Sequence, residues 1–452
     1  MRRFYPQITL ILVLTLSLFT ASLAQTAQPA KRKKLKDFGS SVKRLKWDPN
    51  KNATTELPAP GAKANADDDD VIRVDTSLVT CELLVVDQHG KSIAGLTGED
   101  FSIAEDDTPQ TVGHFLLGDN VSVPRTIVLI IDYSGSQKPY LKNSVTAAKV
   151  LVDKLGPKDM MAIVTDDVEL IHDFTSDKNK LKKKLDWLEK QTEVNFVTLG
   201  PFSLSRPQFG RSKQYSALRA TLYEAFEETD VRPIIIFQTD GDEALSLRNP
   251  VVEVTLPEGL EGEELERARR SIEYHKQSLA KNMSEFSLDD LYRAVERSRA
   301  TVYTVIPGLK LLGLPPQQQF ELTWAEYQQK QFELLGQLPV DRRRTLEERW
   351  KKQMQNYEMI NLKARVERTA KMQSALAGVA PLTGGWTEFL QKPEEADAIY
   401  SRIFSDINQR YIVGYYPTNK ERDGKRRKID FAVKGHPEYQ IYGRRSYFAP
   451  SQ

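Results

Sequence analysis

Three oxygen-bearing side chains at alternate positions, Asp132, Ser134 and Ser136, directly follow the apolar run 126–131 (TIVLII). One carboxylate and two hydroxyls on a tight loop opened by Gly135 can point at a single cation. All-oxygen sets of this kind suit Mg²⁺, Ca²⁺ or Mn²⁺. They do not suit zinc, and the five histidines are too scattered to suggest it. A network of Asx- and Ser-turn hydrogen bonds without an ion is the other reading of the same loop. A second apolar run, 233–238 (PIIIFQ), ends in Thr239-Asp240-Gly241-Asp242. If the two runs are neighbouring strands, Asp240 and Asp132 face one crevice. Ser216 lies between them in sequence, ahead of a helix-patterned stretch, where its hydroxyl can cap the helix, ligate, or do both. Thr221 falls inside that helix. Asp166-Asp167 and Asp242-Glu243 add negative charge near the same rim and read as solvated residues. No nucleophile–base pair, P-loop or HExxH pattern is present, so no enzyme activity is expected.

The elements that must position these residues follow from periodicity. The runs 126–131, 160–165, 233–238 and 301–306 are short and continuously apolar, as for strands covered on both faces. Between them come helix-patterned stretches: Leu141, Val145, Ala148, Leu151, Val152 and Leu155 (ended by Gly156-Pro157), then 181–188, 217–226 and 288–299. This alternation predicts an α/β fold, a doubly wound, mostly parallel, Rossmann-like sheet with ligands at the strands' carboxyl ends. Ahead of it, 71–122 carries short β-rich segments with polar turns, a small N-terminal β-sandwich-like unit. Behind it, 396–407 is an amphipathic helix, 411–416 a terminal strand, and 427–433 with 439–442 a C-terminal β-hairpin. Two helical insertions, near 258–283 and 315–371, interrupt the rhythm. The second carries an apolar stripe of Trp324, Tyr327, Phe332, Leu335 and Leu338.

Bulk composition narrows the class. A chain of 452 residues, 40% hydrophobic and 28% charged, is soluble globular protein of two or three folded units. A net charge of +2 gives no field for nucleic acid. Arg2, Arg3, the apolar run 8–19 and Ser22-Leu23-Ala24 read as a signal peptide (1–24) cleaved after Ala24; an uncleaved anchor is the alternative. The product is then secreted or periplasmic, without stable membrane insertion. Its single cysteine, Cys81, allows no internal disulfide and sits in a core-like stretch. Residues 25–70, with Lys31-Arg32-Lys33-Lys34 and Asp67 to Asp70, read as a disordered linker.

With these elements in place, Asp132-x-Ser134-x-Ser136 and Thr239-Asp240-Gly241 resemble the metal-ion-dependent adhesion site (MIDAS) of von Willebrand factor type A domains. Leu96-Thr97-x-Glu99-Asp100-Phe101, Thr383-Gly384-Gly385, Tyr411-Ile412-Val413-Gly414-Tyr415-Tyr416-Pro417 and Gly443-Arg444-Arg445-Ser446-Tyr447 extend the likeness over most of 71–449. Over that span the chain is similar to the von Willebrand factor A-related proteins abundant in Acidobacteria. The resemblance implies a von Willebrand factor A-like domain over 123–414, followed by the extension 415–452. It implies Asp132, Ser134, Ser136 and Asp240 as ligands of Mg²⁺ (or Ca²⁺ or Mn²⁺), with Ser216 where the family has a threonine. It also implies a protein partner whose Asp or Glu fills the open metal position. A structural or assembly protein of the cell envelope, binding through its helical insertion beside a vestigial metal site, is the competing expectation.

Overall fold

The computed structural model describes residues 34–57, 78–117, 123–192, 211–227, 230, 232–249, 256, 260–336, 344, 348 and 357–450. The leader expected at 1–24 lies outside them. Among the described residues no helix is long and apolar enough to cross a membrane.

In chain order, a helical turn α1 (Ser40–Lys43) precedes the hairpin β1 (Leu45–Asp48) and β2 (Ala53–Glu56). Next come β3 (Val79–Val86), β4 (Phe101–Glu105), β5 (Thr108–Gln110) and β6 (Val112–Leu117). The α/β portion runs β7 (Arg125–Ile131), α2 (Leu141–Asp153), β8 (Met160–Thr165), β9 (Leu170–Thr175), α3 (Lys178–Thr192), α4 (Gln214–Glu224) and β10 (Arg232–Gln238). It continues with α5 (Gly262–Lys281), α6 (Leu288–Arg297), β11 (Thr301–Pro307), α7 (Pro316–Gly336), α8 (Tyr357–Ala377), β12 (Thr387–Leu390) and α9 (Ala396–Gln409). The chain closes with β13 (Tyr411–Tyr415), β14 (Arg426–Val433), β15 (Gln440–Tyr442) and β16 (Ser446–Phe448).

The expected doubly wound sheet is present, with strand order β12–β11–β10–β7–β8–β9. All its pairings are parallel except β8 with the edge strand β9. Strands β7 and β10 are buried almost throughout because helices cover both faces. Ile127, Leu129 and Ile131 meet α2, α3 and α9 through Val145, Leu151, Leu185, Ile403 and their neighbours. The alternate residues Val128 and Ile130 face the other side, where α4 packs on β7 and β8. Chain order reverses direction at β7, since β8 lies on one side of it and β10 on the other. That makes the carboxyl ends of β7 and β10 the switch point where a ligand crevice opens.

The β-rich segments at the two ends of the chain build one sandwich rather than an N-terminal unit and a separate hairpin. One sheet orders β15–β3–β13–β6 and the other β16–β14–β4–β5, so each takes strands from both ends. Cys81, Leu83, Phe101 and Ile103 share a core with Tyr411, Val413, Ile429, Phe431 and Ile441. The strand at 411–415, assigned from the sequence to the α/β domain, pairs with β3 and β6 instead. β13 lies between β3 and β6, and β14 lies beside β4, so the shared core needs strands from both ends. Part of the expected linker is folded as well. Leu45 is buried, Gly39 and Ser41 donate backbone N–H groups to Glu224, the Trp47 N–H donates to Glu285, and the Thr54 hydroxyl donates to Asp290. These segments dock by polar contacts, which their low apolar content does not reveal. Residues 25–33 and 58–70 of that linker lie outside the described residues.

A buried ionic cluster joins sandwich to sheet. Arg410, fully buried, donates to both Asp406 carboxylate oxygens (2.6 and 3.1 Å), to the Gly384 carbonyl (2.6 Å) and to the Glu82 carbonyl of β3 (3.3 Å). The Trp386 indole N–H donates to Asp406 Oδ2 at 2.6 Å. Replacing one member leaves a buried charge without its partner, so Arg410→Ala is expected to cost about 3–5 kcal/mol in urea unfolding. A loss under about 1 kcal/mol would show that the cluster is not what couples the two parts.

Candidate metal centre

The parallel register places Ile131 opposite Gln238, and the Asp132 N–H donates to the Gln238 carbonyl at 3.0 Å. The first residues beyond each strand, Asp132 and Thr239, are therefore neighbours. The Thr239 hydroxyl donates to Asp132 Oδ2 at 2.7 Å, and the Ser134 N–H donates to Asp132 Oδ1 at 2.9 Å. Ser134 Oγ lies 3.0 Å from Ser136 Oγ, and Ser136 stands near enough to Asp240 to lower the pKa of its carboxyl. A 3-10 turn, Gly135–Gln137, carries the chain back across the crevice, so that Gln137 Nε2 donates to Asp240 Oδ2 at 2.7 Å. Gly241 follows with φ 74°, a left-handed conformation in which a Cβ would stand 2.9 Å from the Tyr215 hydroxyl. That turn directs Asp240 toward the crevice while the chain leaves the sheet.

Asp132, Ser134, Ser136 and Asp240 are thus gathered at one point, whereas Ser216 is directed elsewhere. Ser216 is the third residue of α4, and its N–H and hydroxyl donate to the buried Glu243 at 2.9 and 2.6 Å. Nor does it cap the helix, since the N-cap position is Lys213. Its place beside Asp132 is taken by Gln214, whose Nε2 donates to Asp132 Oδ2 at 2.9 Å while its Oε1 accepts the Glu243 N–H at 2.9 Å. Glu243 itself, read from the sequence as solvated, is buried and shared among Ser216, the Ser284 hydroxyl and, at 3.9 Å, Lys213.

Asp166 is a further residue that spacing does not bring forward. It sits just past β8, buried, and accepts the N–H groups of Tyr133 (3.1 Å) and Ser212 (2.9 Å). Its neighbour Asp167 accepts the Tyr133 hydroxyl and the Arg211 N–H. Gln137 and Gln214 are equally silent in sequence, because an amide becomes informative only when its burial is known. The strand-end position of Thr239 is the one local signal that marks it out.

The electrostatics are those of crowded carboxylates. Burial, then repulsion from Asp132, holds the Asp166 carboxyl well above the ordinary carboxylate range. Burial, then Asp132 and Asp242, does the same to Asp240, against the lowering effect of Gln137 and Ser136. A hard divalent cation is the counter-charge that such a set of carboxylate and hydroxyl oxygens accommodates. Among the described residues, no three His, Cys, Asp or Glu side chains converge as an all-anionic or imidazole cage. The donor set is mixed, with two serine hydroxyls between two aspartates. Among the described residues, the adjoining buried acceptor Gln137 Oε1 has no hydrogen-bond partner.

A cavity of about 260 Å³ opens beside Ser136 and Asp240. Its far side is built by α7 and α8, the longer insertion. Gln373 of α8 accepts the Leu311 and Leu312 N–H groups and donates to the Leu309 carbonyl at 2.7 Å, pinning the loop after β11. Tyr140 bridges the same space by donating its hydroxyl to Glu326 of α7 at 2.9 Å. Its ring lies 3.2 Å from where a Cβ on Gly308 (φ 111°) would stand.

No family model and no curated protein matches the chain. Solved structures that are similar to it include BatB of Bacteroides thetaiotaomicron, at 18% identity and TM-score 0.23, covering 41% of this chain and 67% of that one. An aerotolerance-related membrane protein of Bacteroides fragilis shares 14% identity at TM-score 0.24, covering 63% and 98%. A von Willebrand factor type A protein of Catenulispora acidiphila shares 10% at TM-score 0.30, covering 84% and 75%. At these values the likenesses fix neither family nor activity.

The raised carboxyls set a pH dependence. Between the ordinary carboxylate range and the raised folded-state values, the folded protein holds protons that the unfolded chain has released. That stabilisation is complete at low pH and is lost as pH rises through the folded values. In EDTA, the unfolding midpoint is therefore expected to fall as pH rises above the ordinary carboxylate range, with a flatter slope in Asp132→Asn, where the shared repulsion is gone. Equal slopes in the two proteins would contradict this assignment of the repulsion.

Proposed function

We propose that the chain is a metal-dependent protein-binding or adhesion module of von Willebrand factor A type, exported from the cell. In this reading Asp132, Ser134, Ser136 and Asp240 hold Mg²⁺ (or Ca²⁺ or Mn²⁺), and a partner's Asp or Glu supplies a further oxygen. The observation that carries it is the convergence of these four oxygen-bearing side chains at the β7–β10 switch point, beside a cavity open to a ligand. Four ligands are proposed in place of five, because the Ser216 hydroxyl is engaged by Glu243. The flanking stretches that resemble von Willebrand factor A-related proteins of Acidobacteria support the same reading. So does the leader pattern at 1–24, which points to a secreted or periplasmic protein. No catalytic residue is assigned. A role as an envelope assembly protein acting through the insertion is favoured by one observation, the exposure of Leu322 and Phe332 on α7.

Metal binding is read directly. Titration calorimetry with Mn²⁺ is expected to give one site per chain in the wild type and none in Asp132→Ala. At a cation concentration about 100 times Kd, binding adds ~2.7 kcal/mol of stability, seen as a higher melting temperature in the wild type alone. A folded wild-type protein that takes up neither Mn²⁺ nor Mg²⁺ would remove the proposal and leave the assembly role.

A further inference from the structure

We infer that the helical insertion makes the site selective for a short acidic peptide segment that presents two carboxylates, one to the metal and one to Arg365 and Arg368 of α8. The inference rests on the metal-binding reading above and goes beyond it in assigning the second anchor and the class of ligand. Along α8, Arg365, Arg368, Thr369 and Met372 recur at i, i+3, i+4 and i+7, one face of a helix, and all four line the cavity. The opposite wall is Ser136, Asp240 and Asp242. One end of the space is thus a cation site awaiting an anionic oxygen, and the other carries two guanidiniums suited to carboxylates.

Two more features point to a peptide. Gln137 is 1% exposed, lines the cavity, and spends its Nε2 donor on Asp240. Its Oε1 is a buried acceptor without a partner, the complement of a backbone N–H. The volume, about 260 Å³, lies below the roughly 300–1,000 Å³ of pockets for drug-sized molecules. It admits side-chain arms of a chain lying across the mouth. The wall is also firmly held, through the three hydrogen bonds from Gln373 to the loop after β11 and the Tyr140–Glu326 contact.

The test uses the full chain and two fluorescein-labelled peptides in a glycine–serine background, one with two glutamates separated by a glycine and one with the second glutamate replaced by glutamine. In Mn²⁺, fluorescence anisotropy is expected to favour the two-glutamate peptide by about ten-fold, since two partly exposed charge pairs add to the metal contact. In Arg365→Gln/Arg368→Gln that preference is expected to fall to the about two-fold set by having two glutamates to present. Arg365→Lys/Arg368→Lys is expected to keep most of it, which separates charge from helix packing. EDTA is expected to release both peptides. An unchanged preference in the glutamine double variant would overturn the inference. So would the absence of peptide binding by a chain whose Mn²⁺ uptake calorimetry has measured, and in that case the metal-binding reading stands. Absence of Mn²⁺ uptake sinks both.

Discussion

The hydrogen bond from the Asp132 N–H to the Gln238 carbonyl is the contact on which the site depends. It is the last rung of the parallel β7–β10 ladder and fixes where two unrelated stretches of chain leave the sheet together. Once Ile131 stands opposite Gln238, Asp132 and Thr239 must be adjacent, and Asp240 follows one residue later. A slip of one residue would move every side chain of β7 to the opposite face, where it would meet the wrong helical layer. The two helical layers, which bury both faces of β7, therefore also fix the position of the carboxylates. Core and site are specified by one register.

That geometry has an electrostatic cost, and the surroundings show how it is met. Asp132 is buried but receives three donors: the Ser134 N–H, the Thr239 hydroxyl and the Gln214 amide. Buried anions are tolerated when their lone pairs are filled in this way. Asp166 accepts two N–H groups, and Asp240 accepts the Gln137 amide and the Asp242 N–H, yet burial and then repulsion from Asp132 raise both. The molecule holds this unfavourable cluster at a switch point instead of replacing it with apolar residues. Carboxyls perturbed in this way cluster at functional sites, although structural networks perturb them as well.

Much of this was legible in the sequence because it is local. Continuous apolar runs announced β7, β8, β10 and β11, and alternate oxygen-bearing residues after the first of them announced Asp132, Ser134 and Ser136. What depends on distant partners was not legible. Ser216 has the residue type and neighbourhood of a ligand, yet it lies two residues, about half a turn, beyond Gln214 on α4, so it is aimed at Glu243 while Gln214 meets Asp132. Asp166 looked like a solvated loop residue, since nothing local says that the 211–213 segment folds over it. The sandwich escaped for the same reason: β3 and β13 pair across more than 300 residues (Val413 with Cys81), and short alternating strands carry no mark of their partners. The hairpin at 45–56 docks through Glu285 and Asp290, polar contacts in a stretch too poor in apolar residues to read as folded.

The position of the long insertion alters how its role can be judged. From the sequence, an arm at 315–371 and a metal loop at 132–136 are separate features, and removing the arm would distinguish an assembly function from a metal-dependent one. In the folded chain they share a cavity, with Arg365 and Arg368 on one side and Ser136 and Asp240 on the other. Gln373, on the same helix, also holds the loop that follows β11, the strand beside β10. Deleting the arm would open the cavity, release that loop and remove candidate ligand contacts at once, so loss of binding would follow under either function. Point changes separate the two. A substitution at Asp132 leaves α7 and α8 in place, and one at Phe332, exposed on the outer surface of α7, leaves the carboxylates in place. Which of the two abolishes association decides whether the insertion is the binding surface itself or the wall that shapes it.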